Sequence, residues 1–286
     1  FLALYAAELA GRATPGFLAL GAAVALALTA LGLIASFFHL GHPERAWRSA
    51  AMWRTSWLSR EVIVLPLFMA GLAAWGAAHF IGWPMTRQLG GLTALLCVAL
   101  FVCTAMIYAS IKFLREWAHA LTLANYTLLG CASGLTLATL LAALQAPPLL
   151  RPYALGAMLF TLAGLLTRAL SLRRNARLKP KSTLQTALGI KHPRIEQKAQ
   201  GFMGGSFNTR EFFHGKSALL LSRLKWLFIA LAFVLPAAML AIGSAAWSPL
   251  WFALAFALQY AGLLAERWFF FAQANHPQNL YYQAVS

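Results

Sequence analysis

The basic residues of this chain are distributed very unevenly between the loops that separate its long apolar segments. Seven such segments carry almost no charge, and 60% of the 286 residues are hydrophobic. All 23 Lys and Arg residues except Arg12, Arg87 and Arg151 lie towards the same side of the implied membrane. Because Lys- and Arg-rich loops stay in the cytoplasm, the sequence predicts a polytopic membrane protein with a cytoplasmic basic face, which in bacteria means the inner membrane.

We expect one all-α membrane helix bundle that forms a single domain over residues 1–286. Only helices and closed barrels satisfy their backbone hydrogen bonds in lipid, and no segment alternates with the period of two that is typical of a barrel. Residues 1–9 look like part of a further helix, which would make eight. Pro66 and Pro236 fall inside two spans and are expected to kink them. The predicted full spans are 17–38, 62–82, 88–111, 118–142, 152–171, 219–243 and 247–271.

The formal net charge of +16 limits the class of partner. In a soluble protein this charge would favour nucleic acid. On one membrane face it favours anionic lipid headgroups or an acidic partner protein, and we expect no nucleic acid. The long basic loop at about 172–218 also contains aromatic residues, which favours a docking surface. The alternative is a solvated loop in contact with lipid.

A cluster of polar residues at the basic side of the predicted spans favours a quinone site. His39 ends one span and Glu61 opens the next, so both are expected at one membrane depth. An imidazole can hydrogen-bond a quinone carbonyl and a carboxylate can relay a proton. The alternatives are that His39 satisfies loop carbonyls and that Glu61 lies in a first helical turn capped by Ser59. The same side also contains Arg45, Arg60, Tyr108, Lys112, Arg115, Glu116 and His119.

Two other functions have less support in the sequence. Haem would need two axial histidines facing each other in the apolar layer, and none of the seven histidines lies mid-span, with His79 on the opposite side from the rest. A transporter would need ionisable groups near the midplane, and we expect none deep in the bundle. Glu266 and Arg267 are expected to form an interfacial pair. The internal polar residues are then Asn125, Tyr126, Gln259 and Tyr260.

The motif H-L-G-x-P-x-R-A at residues 39–46, followed by L-S-x-E at 58–61, resembles the membrane-anchor subunit of the dimethyl sulfoxide reductase family. The resemblance extends over nearly the whole chain. It implies a heterotrimer with a molybdopterin catalytic subunit and an iron–sulfur subunit, whose anchor exchanges electrons with ubiquinone or menaquinone. It also implies that His39 and Glu61 belong to the quinone site, with Arg45, Arg60, Tyr108 and His119 as further members. No metal ligand or haem is expected on this chain.

The charge distribution places the motif-bearing face in the cytoplasm, whereas in the dimethyl sulfoxide reductase that face looks outward. The chain is therefore similar to the anchors of the cytoplasmic sulfite-oxidising branch, which implies sulfite oxidation coupled to quinone reduction. A quinol-oxidising anchor of an S-oxide or N-oxide reductase and a non-redox transport protein remain as alternatives. Residues predicted to dock the iron–sulfur partner are Phe207, Arg210, His276, Tyr281 and Tyr282.

Overall fold

Seven helical segments dominate the structure, a computed structural model that describes residues 1–38, 40–179, 182–196, 198, 212 and 218–280. All seven are long and apolar enough to cross a membrane. They match the predicted spans one for one, which confirms an all-α polytopic membrane bundle. The segments are α2 (Pro15–Phe37), α3 (Trp57–Ile81), α4 (Thr86–Ala109), α5 (Ala120–Gln145), α6 (Pro147–Asn175), α8 (Ala218–Ile229) continued by α9 (Leu235–Ala246), and α10 (Pro249–Ala272).

Two shorter helices complete the described α-helices. α1 (Leu2–Leu9) has eight residues and packs mainly against α4 and α5, so the eighth span is present only as this short helix. α7 (Leu184–Leu188) has five residues and is closed by a capping box at Thr183. The helices define two ends. At the basic end α2, α4, α6 and α10 finish and α3, α5 and α8 begin; at the short-loop end the connections are a few residues long.

The outer surface of the bundle is apolar, as a bilayer requires. Large side chains such as Leu95 and Leu159 are 70% and 67% exposed in the middle of their helices. Trp75, Phe228 and Phe252 are fully buried between helices. Helix pairing is mostly sequential, with α5 against α6, α3 against α2 and α4, and α10 against α9 and α5. Short connections make consecutive helices antiparallel neighbours.

The two prolines inside spans have different surroundings. α3 continues through Pro66 as one α-helix. Pro236 follows a π-helical turn at Ala230–Val234. A proline has no N–H to donate to the carbonyl four residues earlier, and its ring crowds that carbonyl, so a wider turn relieves the conflict. The amide of Gln259 on α10 donates to this carbonyl, that of Ala232, at 3.3 Å.

Candidate functional site

The segment between α2 and α3 forms a compact cap on the basic end. It contains a 3₁₀ helix, Pro43–Ala50, and ends at Ser56, whose hydroxyl accepts from the Ser59 amide at 3.3 Å. Arg60 fastens the preceding turn, because Nε donates to the Trp53 carbonyl at 2.9 Å and its guanidinium lies 4.2 Å from the Trp57 ring centroid. The alternative interpretation of Glu61 is therefore wrong in detail: Ser56 is the cap, and Glu61 lies in the second turn.

Glu61 joins α3 to α4 near the basic end. Its carboxylate is half-buried and accepts a hydrogen bond from the hydroxyl of Thr104 on α4 at 2.5 Å. Such a bond to a charged group is stronger than one between neutral groups. The arrangement holds a carboxylate just inside the membrane layer with its second oxygen available to another partner.

Tyr108 lies one helical turn beyond Thr104 on α4, at the spacing that puts both side chains on one face. Its ring stacks with that of Tyr126 on α5, with centroids 5.7 Å apart. It also meets Trp117 edge-on at 5.4 Å. The Tyr108 hydroxyl is within electrostatic reach of Glu61 and Arg267. The predicted association of Tyr108 with the Glu61 region is thus supported by the geometry of α3 and α4.

A buried ion cluster lies beside the tyrosines. Arg168 on α6 places Nε 2.7 Å from Oε1 of Glu266 on α10, with side chains 2% and 0% exposed. Arg267 places Nη2 2.5 Å from the other oxygen of Glu266. The predicted Glu266–Arg267 pair exists, but it is buried and shared with a second arginine. The expectation that no ionisable group lies deep in the bundle is therefore wrong, because burial between helices is tolerated once charges are paired.

The remaining predicted members of the site have other partners. Arg45 is exposed and pairs with Glu44 at 3.7 Å. His119 is the N-cap of α5, where Nδ1 accepts from the Leu121 amide at 3.1 Å. Burial, followed by the nearby charge of Arg174, lowers the pKa of His119. The described contacts of Arg45 and His119 do not reach Glu61.

The links and tail at the basic end support one another. Trp117 donates from Nε1 to the Phe270 carbonyl at 3.0 Å and stacks on that ring at 5.2 Å. His276, after α10, meets the Phe113 ring edge-on at 5.4 Å, and burial lowers the pKa of His276. His276 therefore lies on the link between α4 and α5. The other predicted positions, which lie outside the described residues, are His39, Phe207, Arg210, Tyr281 and Tyr282.

The short-loop end has its own buried ionisable pair. Nε2 of His79 on α3 lies 3.2 Å from Oε1 of Glu8 on α1, and both side chains are 7% exposed. Trp75 donates from Nε1 to the other Glu8 oxygen at 2.9 Å. His79 lies at the opposite end from Glu61, as the sequence predicts. This pair binds α1 to α3 and is separate from the Glu61 site.

Sequence reasoning missed Thr104 and Arg168. Thr104 could have been found from its position four residues before Tyr108, since residues at that spacing share a helix face. Arg168 could have been found as an arginine inside a predicted apolar span, because such a charge needs a buried partner. Which partner each of them meets depends on helix packing.

The comparisons with known proteins agree with this geometry. A relative, one of the subunits of the sulfite dehydrogenase of Allochromatium vinosum, is 53% identical over 283 residues, which cover 94% of this chain and 87% of the relative. No solved structure matches the chain. The family model described as DMSO reductase anchor subunit (DmsC) matches residues 13–272. That match takes in every helix from α2 to α10, and the chain therefore belongs to the DMSO reductase anchor subunit family.

Proposed function

We propose that this chain is the quinone-reactive membrane anchor of a molybdopterin oxidoreductase and passes electrons between an iron–sulfur subunit and membrane quinone. The observation that carries the proposal is the half-buried carboxylate of Glu61, held by Thr104 within the L-S-x-E motif. Membership of the anchor family supports the heterotrimer. The molybdenum cofactor and the iron–sulfur clusters would belong to the two partner chains.

The chemistry of the site suits a quinone substrate. Reduction adds two electrons and two protons to one quinone and gives one quinol. We propose that the electrons come from the partner's clusters and that the protons enter from the basic end, with Glu61 as the proton-transferring group. His39, matched by its motif, would hydrogen-bond one carbonyl. Arg60 and Tyr108 border the same region, and the apolar outer surface of α3 and α4 offers a path for an isoprenoid tail.

The direction of electron flow is taken from the named relative. Its name contains sulfite dehydrogenase, which supports sulfite oxidation by the catalytic partner and quinone reduction in the membrane. The partner would then be cytoplasmic, in agreement with the basic end facing that compartment. We propose the inner membrane as the location, and the basic loop together with the segment after α10 as the docking surface. Anionic lipid headgroups would border the same end.

The test uses the intact complex with Glu61→Gln and with His39→Ala. Each variant is assayed with sulfite and decylubiquinone, and in parallel with sulfite and a soluble artificial electron acceptor. We expect loss of most quinone reduction with the artificial-acceptor rate retained, because only the membrane step is affected. The matched control is Glu44→Gln, an exposed carboxylate on the neighbouring 3₁₀ helix. Wild-type quinone reduction in both site variants would exclude the proposed site.

A further inference from the structure

The buried ion cluster contains one more cation than anion. Two guanidinium groups, those of Arg168 and Arg267, share the single carboxylate of Glu266. A charged group inside a membrane bundle is costly and usually marks a functional position. A structural pair would need only one arginine. The second arginine therefore requires an explanation of its own.

The two arginines face different surroundings. Arg168 lies over the rings of Phe228 and Phe269, at 5.6 Å and 6.0 Å from their centroids, within the contact between α6, α8 and α10. Arg267 lies 4.1 Å from the Tyr126 centroid, on the side of α5 that faces α4. A guanidinium this close to an aromatic face fixes the ring by cation–π attraction.

A continuous series of contacts then runs from Arg267 to the proposed quinone site. Arg267 lies over Tyr126, and Tyr126 stacks with Tyr108 at 5.7 Å. Tyr108 follows Thr104 by one turn of α4, and Thr104 donates to Glu61. All of these side chains lie close to the basic end. Glu266 anchors the far end of the series, because it holds the Arg267 guanidinium in place through two nitrogens.

We propose that Arg267 is a positioning residue for the quinone head group, acting through the rings of Tyr126 and Tyr108. This inference rests on the proposed function. Arg267 touches no quinone itself; it restrains the tyrosine stack that forms one wall of the site next to Glu61. Its loss allows Tyr108 to change rotamer, which weakens quinone binding and leaves the electron transfer from the partner's clusters intact.

The experiment compares Arg267→Gln with Arg168→Gln in the intact complex. The two variants remove the same charge from the same carboxylate, and each leaves Glu266 with one arginine. We expect Arg267→Gln to raise the KM for decylubiquinone about tenfold, with kcat at saturation nearly unchanged. Arg168→Gln is expected to leave this KM within about twofold of wild type. Equal KM changes in the two variants, or no change in either, would overturn the proposal.

A second pair of variants tests the ring itself. Tyr126→Phe keeps the stacked face that contacts Arg267 and is expected to retain the wild-type KM. Tyr126→Leu removes that face and is expected to behave like Arg267→Gln. A Tyr126→Leu complex with wild-type KM would also overturn the proposal. Activity with the soluble acceptor and size-exclusion profiles show that each complex is folded and assembled.

The Glu61→Gln complex separates the two levels of inference. Loss of quinone reduction in Glu61→Gln together with a wild-type KM in Arg267→Gln would remove only the positioning role. Unchanged quinone reduction in Glu61→Gln and in His39→Ala would remove the proposed function itself.

Discussion

The side-chain amide of Gln259 on α10 donates a hydrogen bond to the main-chain carbonyl of Ala232, four residues before Pro236. That carbonyl has lost its regular helical partner, because proline has no N–H. The same amide also donates to the hydroxyl of Thr161 on α6 at 3.0 Å. One buried glutamine thus satisfies a main-chain defect and joins three helices, which explains a polar residue that is 1% exposed inside an apolar span.

Gln259→Leu should destabilise the protein by about 1 kcal/mol, the usual contribution of such a bond between membrane helices. The measurement is the apparent Tm in detergent. Gln88→Leu, at an exposed position in the first turn of α4, is the control and should leave the Tm almost unchanged. An equal Tm for wild type and Gln259→Leu would show that water or lipid satisfies the Ala232 carbonyl instead.

Gly262→Ala should be more damaging than its size suggests. A Cβ at residue 262 would lie 2.3 Å from the main-chain nitrogen of Ala232, so that α10 must move away from the π turn. Overpacking against backbone costs about 3 kcal/mol. Gly134→Ala on α5 is the matched control, because its Cβ would meet nothing within 4 Å. Similar Tm values for the two variants would contradict the close approach of α10 to the π turn.

Removing the carboxylate of the ion cluster should cost more stability than removing either arginine. Glu266→Gln leaves two buried guanidinium groups without a counter-charge, at a cost of about 3–5 kcal/mol. Arg168→Gln leaves one balanced pair and should cost less. Yield of folded protein and apparent Tm distinguish the two. Equal losses would mean that the second arginine is neutralised by another group.

Thr104→Val keeps the shape of the side chain and removes the donor to Glu61. We expect quinone reduction by the complex to fall about tenfold, since a hydrogen bond to a carboxylate contributes roughly 1.4 kcal/mol or more. Thr104→Ser retains a hydroxyl and should preserve most of the activity. The assay is sulfite oxidation with decylubiquinone, normalised to the rate with a soluble acceptor. If Val and Ser variants had the same rate, the hydroxyl would have no role in holding Glu61.

His119 should make stability depend on pH. Its Nδ1 accepts from the Leu121 amide only while the imidazole is neutral, and its pKa is lowered in the folded protein. The unfolded chain, with a pKa of about 6.5, therefore binds the proton more readily. The stabilising cap is complete above this pH and is lost as the pH falls through the lowered folded value.

His119→Asn should remove this dependence, because asparagine caps a helix without titrating. The measurement is the difference in Tm between about pH 7.5 and about pH 5.5 for both proteins. His42→Asn, at an exposed histidine beside Glu44, is the control. An unchanged pH dependence in His119→Asn would assign the effect to another group.

The sequence by itself determined the class of this protein, the positions of its seven spans and the location of Glu61 and Tyr108 towards the basic end. These properties depend on local composition, since a charge-free apolar segment of about 20 residues has no stable alternative to a helix in lipid. Only the tertiary structure decided which side chains meet. Thr104 finds Glu61, Arg168 shares Glu266, Gln259 reaches Ala232, and His119 caps α5 away from Glu61. Lipid-facing and bundle-facing positions of these helices are both apolar, so helix rotation and partner choice are set by packing and buried polar pairing, which periodicity does not encode.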